Sequence, residues 1–187
     1  MDSKIKWNSK HSDRIDSYNE LVPNNRLKNL SAYLNGGSAI DLACGLGDNS
    51  FFLAESGYDV QALDISDIAV NYVKEQASKR QATVHPQLCD LTEWNKLNIK
   101  ENSIDLLVIT YYLDRQLFPY VKSIIKEKGY FFMETFYLSP DTKERTKVSD
   151  KYKLQPNELL SLFGEWQILF YEENEQEGRQ SIFARKR

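Results

Sequence analysis

Apolar residues in this chain come in short runs that end at an acid or a glycine, alternating with segments of helical spacing. Residues 38–43, 58–64, 83–88, 104–110 and 130–136 read as strands. The run at 104–110 is continuous, with Asp105 near its start, and suits a central parallel strand covered on both faces. Between these runs, residues 48–56, 67–79 and 114–128 read as helices, the first closed by Gly57 and the third by Gly129. Ser66 is placed to cap the second of them, whose buried side is Ala69, Val70 and Val73. Pro156 opens a short helix ending near Gly164, and residues 166–172 and 180–185 flank a turn at 174–178 as a hairpin. Residues 1–11 are polar with no clear period. Ser12-Asp13 caps a first helix that ends before Pro23, and Pro23 opens a second that runs to about Leu34, with Leu27, Leu30 and Leu34 as core. Residues 137–153 are charged and read as a long loop. Strands alternating with helices predict right-handed crossovers and a parallel sheet.

The segment Ala-Ile-Asp-Leu-Ala-Cys-Gly-Leu-Gly-Asp at 39–48 joins the first strand to the first crossover helix. Gly45 and Gly47 let the backbone turn tightly and approach a ligand where a Cβ would clash. Ligands of such folds sit beyond the carboxyl ends of the strands. A dinucleotide fingerprint asks for a third glycine at position 50, and this chain has Ser50. Asp41, inside the strand, repels a pyrophosphate and attracts a cation. Asp64 ends the second strand at about the spacing, roughly twenty residues on, where an acid takes ribose hydroxyls.

Residues Ile40 through Asn49, with Asp64-Ile65-Ser66, resemble the class I S-adenosylmethionine-dependent methyltransferases, most of all the small branch that includes the tellurite-resistance-type and thiopurine-type enzymes. The resemblance covers roughly residues 36 to 187 and is most specific in the cofactor half. It implies a Rossmann-like, doubly wound, seven-stranded and mostly parallel α/β sheet with a C-terminal antiparallel hairpin and helices on both faces. It also implies one domain, residues 36–187, preceded by a helical segment, residues 1–35. In that family the residues before the first strand often fold over the cofactor, so Trp7 and Tyr18 are candidates for a lid. Trp7 has an equal alternative as cover for a core edge. S-adenosylmethionine is the implied cofactor. Its implied contacts are Asp41, Ala43, Gly45, Gly47, Asn49, Asp64, Ile65, Asp90, Leu91 and Tyr111. Asp90 resembles the residue that accepts a hydrogen bond from the adenine amino group, a reading placed ahead of its alternative as an N-cap for the next turn.

Composition narrows the partners. The chain has 187 residues, enough for one sizeable core, and a net charge of −3 with a pI near 5.5. That balance argues against nucleic acid, which asks for a basic stripe. No apolar run of membrane-spanning length and no signal pattern is present, so a cytoplasmic protein is expected. Cys44 and Cys89 are too few and too far apart for a metal or redox motif. His11 reads as a surface residue, with the alternative that it reaches the site if the N-terminal segment is a lid, His85 reads as structural, and no metal is expected.

Methyl transfer asks the protein to hold a nucleophile beside an already electrophilic methyl group, exclude water and, where needed, take a proton. Candidates lie at strand ends: Tyr111, Asp114, Arg115 and Glu134. Tyr111 reads as a residue packing on the adenosine, as one near the sulfonium, or as edge packing. Asp114 and Arg115 read as substrate groups, or as a cap with a surface ion pair. Glu134 either pairs with a cation such as Arg115 or points into the site, because burial without a partner is costly. Thr110-Tyr111-Tyr112-Leu113 stands where base-amine methyltransferases carry an Asn- or Asp-Pro-Pro-aromatic tetrad, which disfavours DNA and bulk RNA. The expected acceptor is therefore a small molecule, with a thiol or other chalcogen nucleophile needing the least base assistance. Two alternatives stand beside this one: a non-catalytic S-adenosylmethionine-binding module that contacts a partner protein, and a nicotinamide-dependent oxidoreductase, against which Ser50 and Asp41 count. The sequence is silent on oligomeric state.

Overall fold

In the computed structural model, residues 3–17, 20–139 and 147–187 are described. The chain divides into two compact units, Met1–Asn98 and Ile99–Arg187.

The first unit holds three parallel strands, β1 (Gly37–Leu42), β2 (Tyr58–Asp64) and β3 (Val84–Leu88), in the order β3-β2-β1. The last four residues of β1 are all buried, as expected of a strand covered on both faces. Helix α3 (Asp48–Glu55) follows β1 and buries Phe51 and Leu53; helix α4 (Asp67–Arg80) follows β2 and buries Ala69, Val73 and Ala77. Ser66 caps α4 as expected, its hydroxyl accepting the Ala69 N–H at 3.1 Å.

The N-terminal helices differ from the expectation. Helix α1 runs over Ser3–Ile15, and α2 covers only Asn25–Asn29, capped by the Asn24 side chain and followed by a 3-10 turn at Ser31–Tyr33. No apolar stripe announces α1, because polar side chains dock it. Asn8 donates to Asp67 at 2.6 Å and accepts from the Ser66 hydroxyl at 2.6 Å, Lys4 lies 3.6 Å from Asp67, and Arg14 lies 3.8 Å from Asp48. Tyr18 falls outside the described residues.

The second unit carries β4 (Ile104–Thr110), β5 (Ile125–Phe136), β6 (Gln167–Asn174) and β7 (Arg179–Arg185), in the order β4-β5-β7-β6. Strands β4 and β5 are parallel; β7 is antiparallel to both β5 and β6, and β6 with β7 is the expected hairpin. Helix α5 (Phe118–Ile124) is shorter than the predicted 114–128, and α6 (Glu158–Phe163) buries Leu159 and Phe163. Residues 125–128 join β5 because their neighbourhood is already strand-like. Asn102 and Ser103 donate to the Ser123 and Ile124 carbonyls, and Ile104 pairs with Ile125. Phe163 anchors this core, stacked on Phe131 at 4.4 Å and edge-on to Trp166 at 5.3 Å. Of the expected loop at 137–153, residues 140–146 lie outside the described residues, and Asp150–Tyr152 form a 3-10 turn. The fold is thus a seven-stranded, mostly parallel Rossmann-like sheet in the order β3-β2-β1-β4-β5-β7-β6, ending in the antiparallel hairpin.

Candidate functional site

The chain leaves β1 through a tight, acid-lined loop. Ala43, Gly45 and Gly47 all have positive φ, at 56°, 55° and 85°. For Ala43, a residue with a Cβ, that conformation is a local strain of the kind that gathers at ligand-binding turns. A Cβ on Gly47 would sit 3.0 Å from both Phe51 and Val73, so glycine is what lets α3 start this close to α4. Asp64 organises the loop: its carboxylate accepts the Gly45 N–H at 2.8 Å and the Ser66 N–H at 2.9 Å.

Asp41 lies under the loop, fully buried. The Ser50 hydroxyl donates to one of its oxygens at 2.6 Å, and the other has no partner among the described residues. Burial, with the carboxylates of Asp64 and Asp48 nearby, pushes the Asp41 carboxyl up to about 7. Ser50, which the dinucleotide pattern would replace with glycine, is thus the hydroxyl that satisfies this acid. Asn49 is buried and accepts the Asn24 N–H at 2.9 Å, tying the segment before α2 to the start of α3. Ile65 is half-buried beside Asp64, and Leu91 is buried. Asp90 is exposed and caps the 3-10 turn Leu91–Lys96, accepting the Thr92 N–H at 2.9 Å. Nine of the ten cofactor candidates therefore lie in the first unit, from Asp41 to Leu91.

His11 corrects the sequence reading. It is buried at 4% exposure, stacked on Trp7 at 5.6 Å, and its ring carbon Cε1 lies 3.3 Å from where a Gly45 Cβ would stand. Its Nδ1 has no hydrogen-bond partner among the described residues. Burial lowers its pKa, against the pull of Asp64. The preferred surface position is thus overturned, while the alternative that placed His11 near the site through the N-terminal segment fits its contact with Gly45. His85, by contrast, is an exposed strand residue paired with Asp59 at 2.7 Å.

In the second unit, Tyr111 follows β4 with a φ of 58°, again a non-glycine residue in the left-handed region at a strand end. Its hydroxyl donates to Glu134 at 2.7 Å, and the Ser181 hydroxyl donates to the other carboxylate oxygen at 2.8 Å. Glu134 is buried and is not the partner of Arg115, contrary to that alternative. Arg115 instead makes a forked pair with Glu158 at 2.7 and 2.8 Å and donates to the Lys153 carbonyl. Asp114 is a cap, accepting the Gln116 N–H at 3.0 Å. Tyr111 and Glu134 are thus brought together, and Asp114 and Arg115 serve local structure. Sequence reasoning missed Arg179, whose guanidinium lies 4.0 Å from the Phe136 ring centre and 5.1 Å from that of Tyr111. Its only signal is a position beside Gly178 at the start of the last strand. Among the described residues no cluster of metal-binding side chains occurs, and no helix is long and apolar enough to cross a membrane.

Comparison with known proteins now bears on this arrangement. The family model described as tellurite resistance protein TehB matches residues 9–181. The chain belongs to the TehB family. A TehB of Haemophilus influenzae, named a probable S-adenosyl-L-methionine-dependent methyltransferase, is 30% identical over 142 residues, covering 72% of this chain and 48% of that protein. The chain spans about half the length of the curated TehB relatives it matches. The crystal structure of TehB from Haemophilus influenzae superposes with a TM-score of 0.77 at 23% identity, covering 95% of this chain and 67% of that one. A geranyl diphosphate C-methyltransferase from Streptomyces coelicolor, solved with Mg²⁺, geranyl diphosphate and S-adenosyl-L-homocysteine, gives 0.69 at 13% identity, covering 87% and 80%. At these identities the structural likenesses speak for the fold, which is that of the TehB family.

Proposed function

We propose that this chain binds S-adenosylmethionine and transfers its methyl group to a small-molecule acceptor. The observation that carries the reading is the acid-lined glycine loop, in which Asp64 braces Gly45 while Asp41 is buried beneath with an oxygen unmet. A diphosphate would be repelled by Asp48 and Asp64 and would hold Asp41 protonated, whereas a ligand with cationic groups is attracted and favours the ionised form of Asp41. The name of the Haemophilus relative supports the same cofactor. The residues of the first unit that would hold it are Asp41, Ala43, Gly45, Gly47, Asn49, Asp64, Ile65, Asp90 and Leu91. S-adenosylmethionine supplies a methyl group on a positively charged sulfur, so the protein's part is positioning and exclusion of water. Asp64 presets the loop, and Asp41 provides a carboxyl whose charge responds near neutral pH. In the second unit, Tyr111, held by Glu134, and Arg179 are the candidate acceptor groups, whose guanidinium and aromatic rings suit a soft, polarisable or oxyanionic nucleophile, a thiol or other chalcogen species. The two free thiols, Cys44 and Cys89, fit a cytoplasmic location.

A titration with S-adenosylhomocysteine, S-adenosylmethionine and NAD by calorimetry and thermal shift tests the cofactor. A ligand specific to the folded state adds about 2.7 kcal/mol at a hundredfold excess over its Kd. Stabilisation by the adenosyl compounds alone is expected, and stabilisation by NAD alone overturns the reading. Binding without turnover on any thiol, selenide or oxyanion acceptor would leave a cofactor-binding module.

A further inference from the structure

We infer that His11 is a cofactor-site residue, with Nδ1 its contacting atom and α1 the element that delivers it. The inference rests on the proposed function and adds a residue that the glycine-loop pattern does not contain. His11 is buried, yet its Nδ1 meets no partner among the described residues. Burying a polar atom unmet costs free energy that an apolar residue at the same place would avoid. The Nδ1 is bonded to Cε1, the carbon that abuts Gly45, so the unmet atom belongs to the ring edge at the loop. A neutral imidazole offers there either a lone pair or an N–H, according to tautomer.

The ring is held in that place. Trp7, one turn earlier on α1, stacks on it at 5.6 Å with 25° between the planes. Asn8 ties the same turn to both Ser66 and Asp67, at the start of the helix that follows Asp64, while Lys4 and Arg14 pair with Asp67 and Asp48 on either side. The charged groups near the ring are Asp64, Arg14 and Lys10. Three polar side chains of α1, Lys4, Asn8 and Arg14, thus dock on the two helix starts that flank the glycine loop. His11 lies on the docked face with a donor or acceptor to spare. Its partner chemistry is a hydroxyl, amino or carboxylate group of the adenosyl ligand.

The test compares wild type, His11→Phe and His11→Asn by calorimetry with S-adenosylhomocysteine, beside ¹⁵N NMR of the His11 ring. Phenylalanine keeps the ring and its stacking but removes both nitrogens, and asparagine restores a polar atom near the place of Nδ1. The expected result is a Kd raised about tenfold in His11→Phe, the usual size of a lost hydrogen bond. His11→Asn should recover most of that loss, and the wild-type Nδ1 resonance should move on saturation. Equal affinity in wild type and His11→Phe, or an Nδ1 resonance that stays put while ligand binds, overturns the inference and leaves the proposed function standing. The NMR measurement needs no variant, so a His11→Phe protein that fails to fold does not shield the idea. If wild type binds no adenosyl compound, both the proposed function and this inference fall.

Discussion

The end of β1 and the end of β4 solve the same problem differently. Each leaves its strand through a non-glycine residue with positive φ, Ala43 or Tyr111, and each sets a buried carboxylate next to it. At β1 the acids are met largely by backbone and by one short side chain: Asp64 by the N–H groups of Ser66, two residues on, and Gly45, 19 residues before it, and Asp41 by the hydroxyl of Ser50, nine residues on. At β4 the acid is met by side chains from far away: Glu134 takes Tyr111, 23 residues before it, and Ser181, 47 residues after it. The first arrangement is a backbone-built cradle. The second is a side-chain cluster that exists only once β5 and β7 have paired, because Glu134 stands directly across from Ser181 in that register. A loop whose backbone must follow a ligand is written locally, whereas a surface made of side chains can be assembled from anywhere.

Four changes test that contrast. The largest effect belongs to Asp41. Its folded carboxyl, raised to about 7 from 3.8, keeps a proton that the unfolded chain releases, so its contribution is full below 3.8 and is lost as pH rises through about 7. Asp41→Asn should therefore gain on wild type in urea unfolding as pH rises across that window, by on the order of 3–5 kcal/mol, and level off above it. A difference independent of pH would mean that Asp41 is not a buried, protonated group.

Next is Asp64→Ala, which removes the acceptor of two backbone N–H groups in the cradle. S-adenosylhomocysteine affinity should fall on the order of a hundredfold by calorimetry, as expected for charged hydrogen bonds lost together. Unchanged affinity would dissolve the cradle as a ligand site.

Glu134→Ala leaves the Tyr111 and Ser181 hydroxyls without their acceptor and should cost about 2 kcal/mol in denaturant unfolding. Measuring S-adenosylhomocysteine binding on the same variant sharpens the contrast. An affinity that follows the stability loss would move Tyr111 to the cofactor side; an affinity that holds keeps it with the acceptor.

The smallest effect is Arg115→Ala. Its pair with Glu158 is partly exposed, so the loss should stay under about 1 kcal/mol in the same assay. A much larger loss would show that the forked pair and the Lys153 carbonyl organise more of the second unit than their exposure implies.

Sequence pattern carried much of this architecture because its causes are local. Alternation of apolar runs with helical spacing placed β1 to β5, α3 and α4 near their observed positions, and Ser66, Asp90 and Asp114 act as caps through side chains that reach only two or three residues. The glycine loop was legible for the same reason, since positive φ and close packing against Phe51 and Val73 restrict Gly47 to one residue type.

What tertiary structure alone decided came from contacts distant along the chain. Helix α1 has no apolar stripe, so only its docking through Asn8, Lys4 and Arg14 onto residues 48, 66 and 67 fixes it and buries His11. Strand pairing with β4 took residues 125–128 out of a predicted helix, and pairing with β7 set Ser181 against Glu134. Arg115, placed near Glu134 by sequence proximity to the strand ends, found Glu158 instead. Backbone conformation answers to near neighbours and shows in the residue pattern. The company a polar side chain keeps is settled by which distant segments fold against it, and a pattern of residue types does not record that.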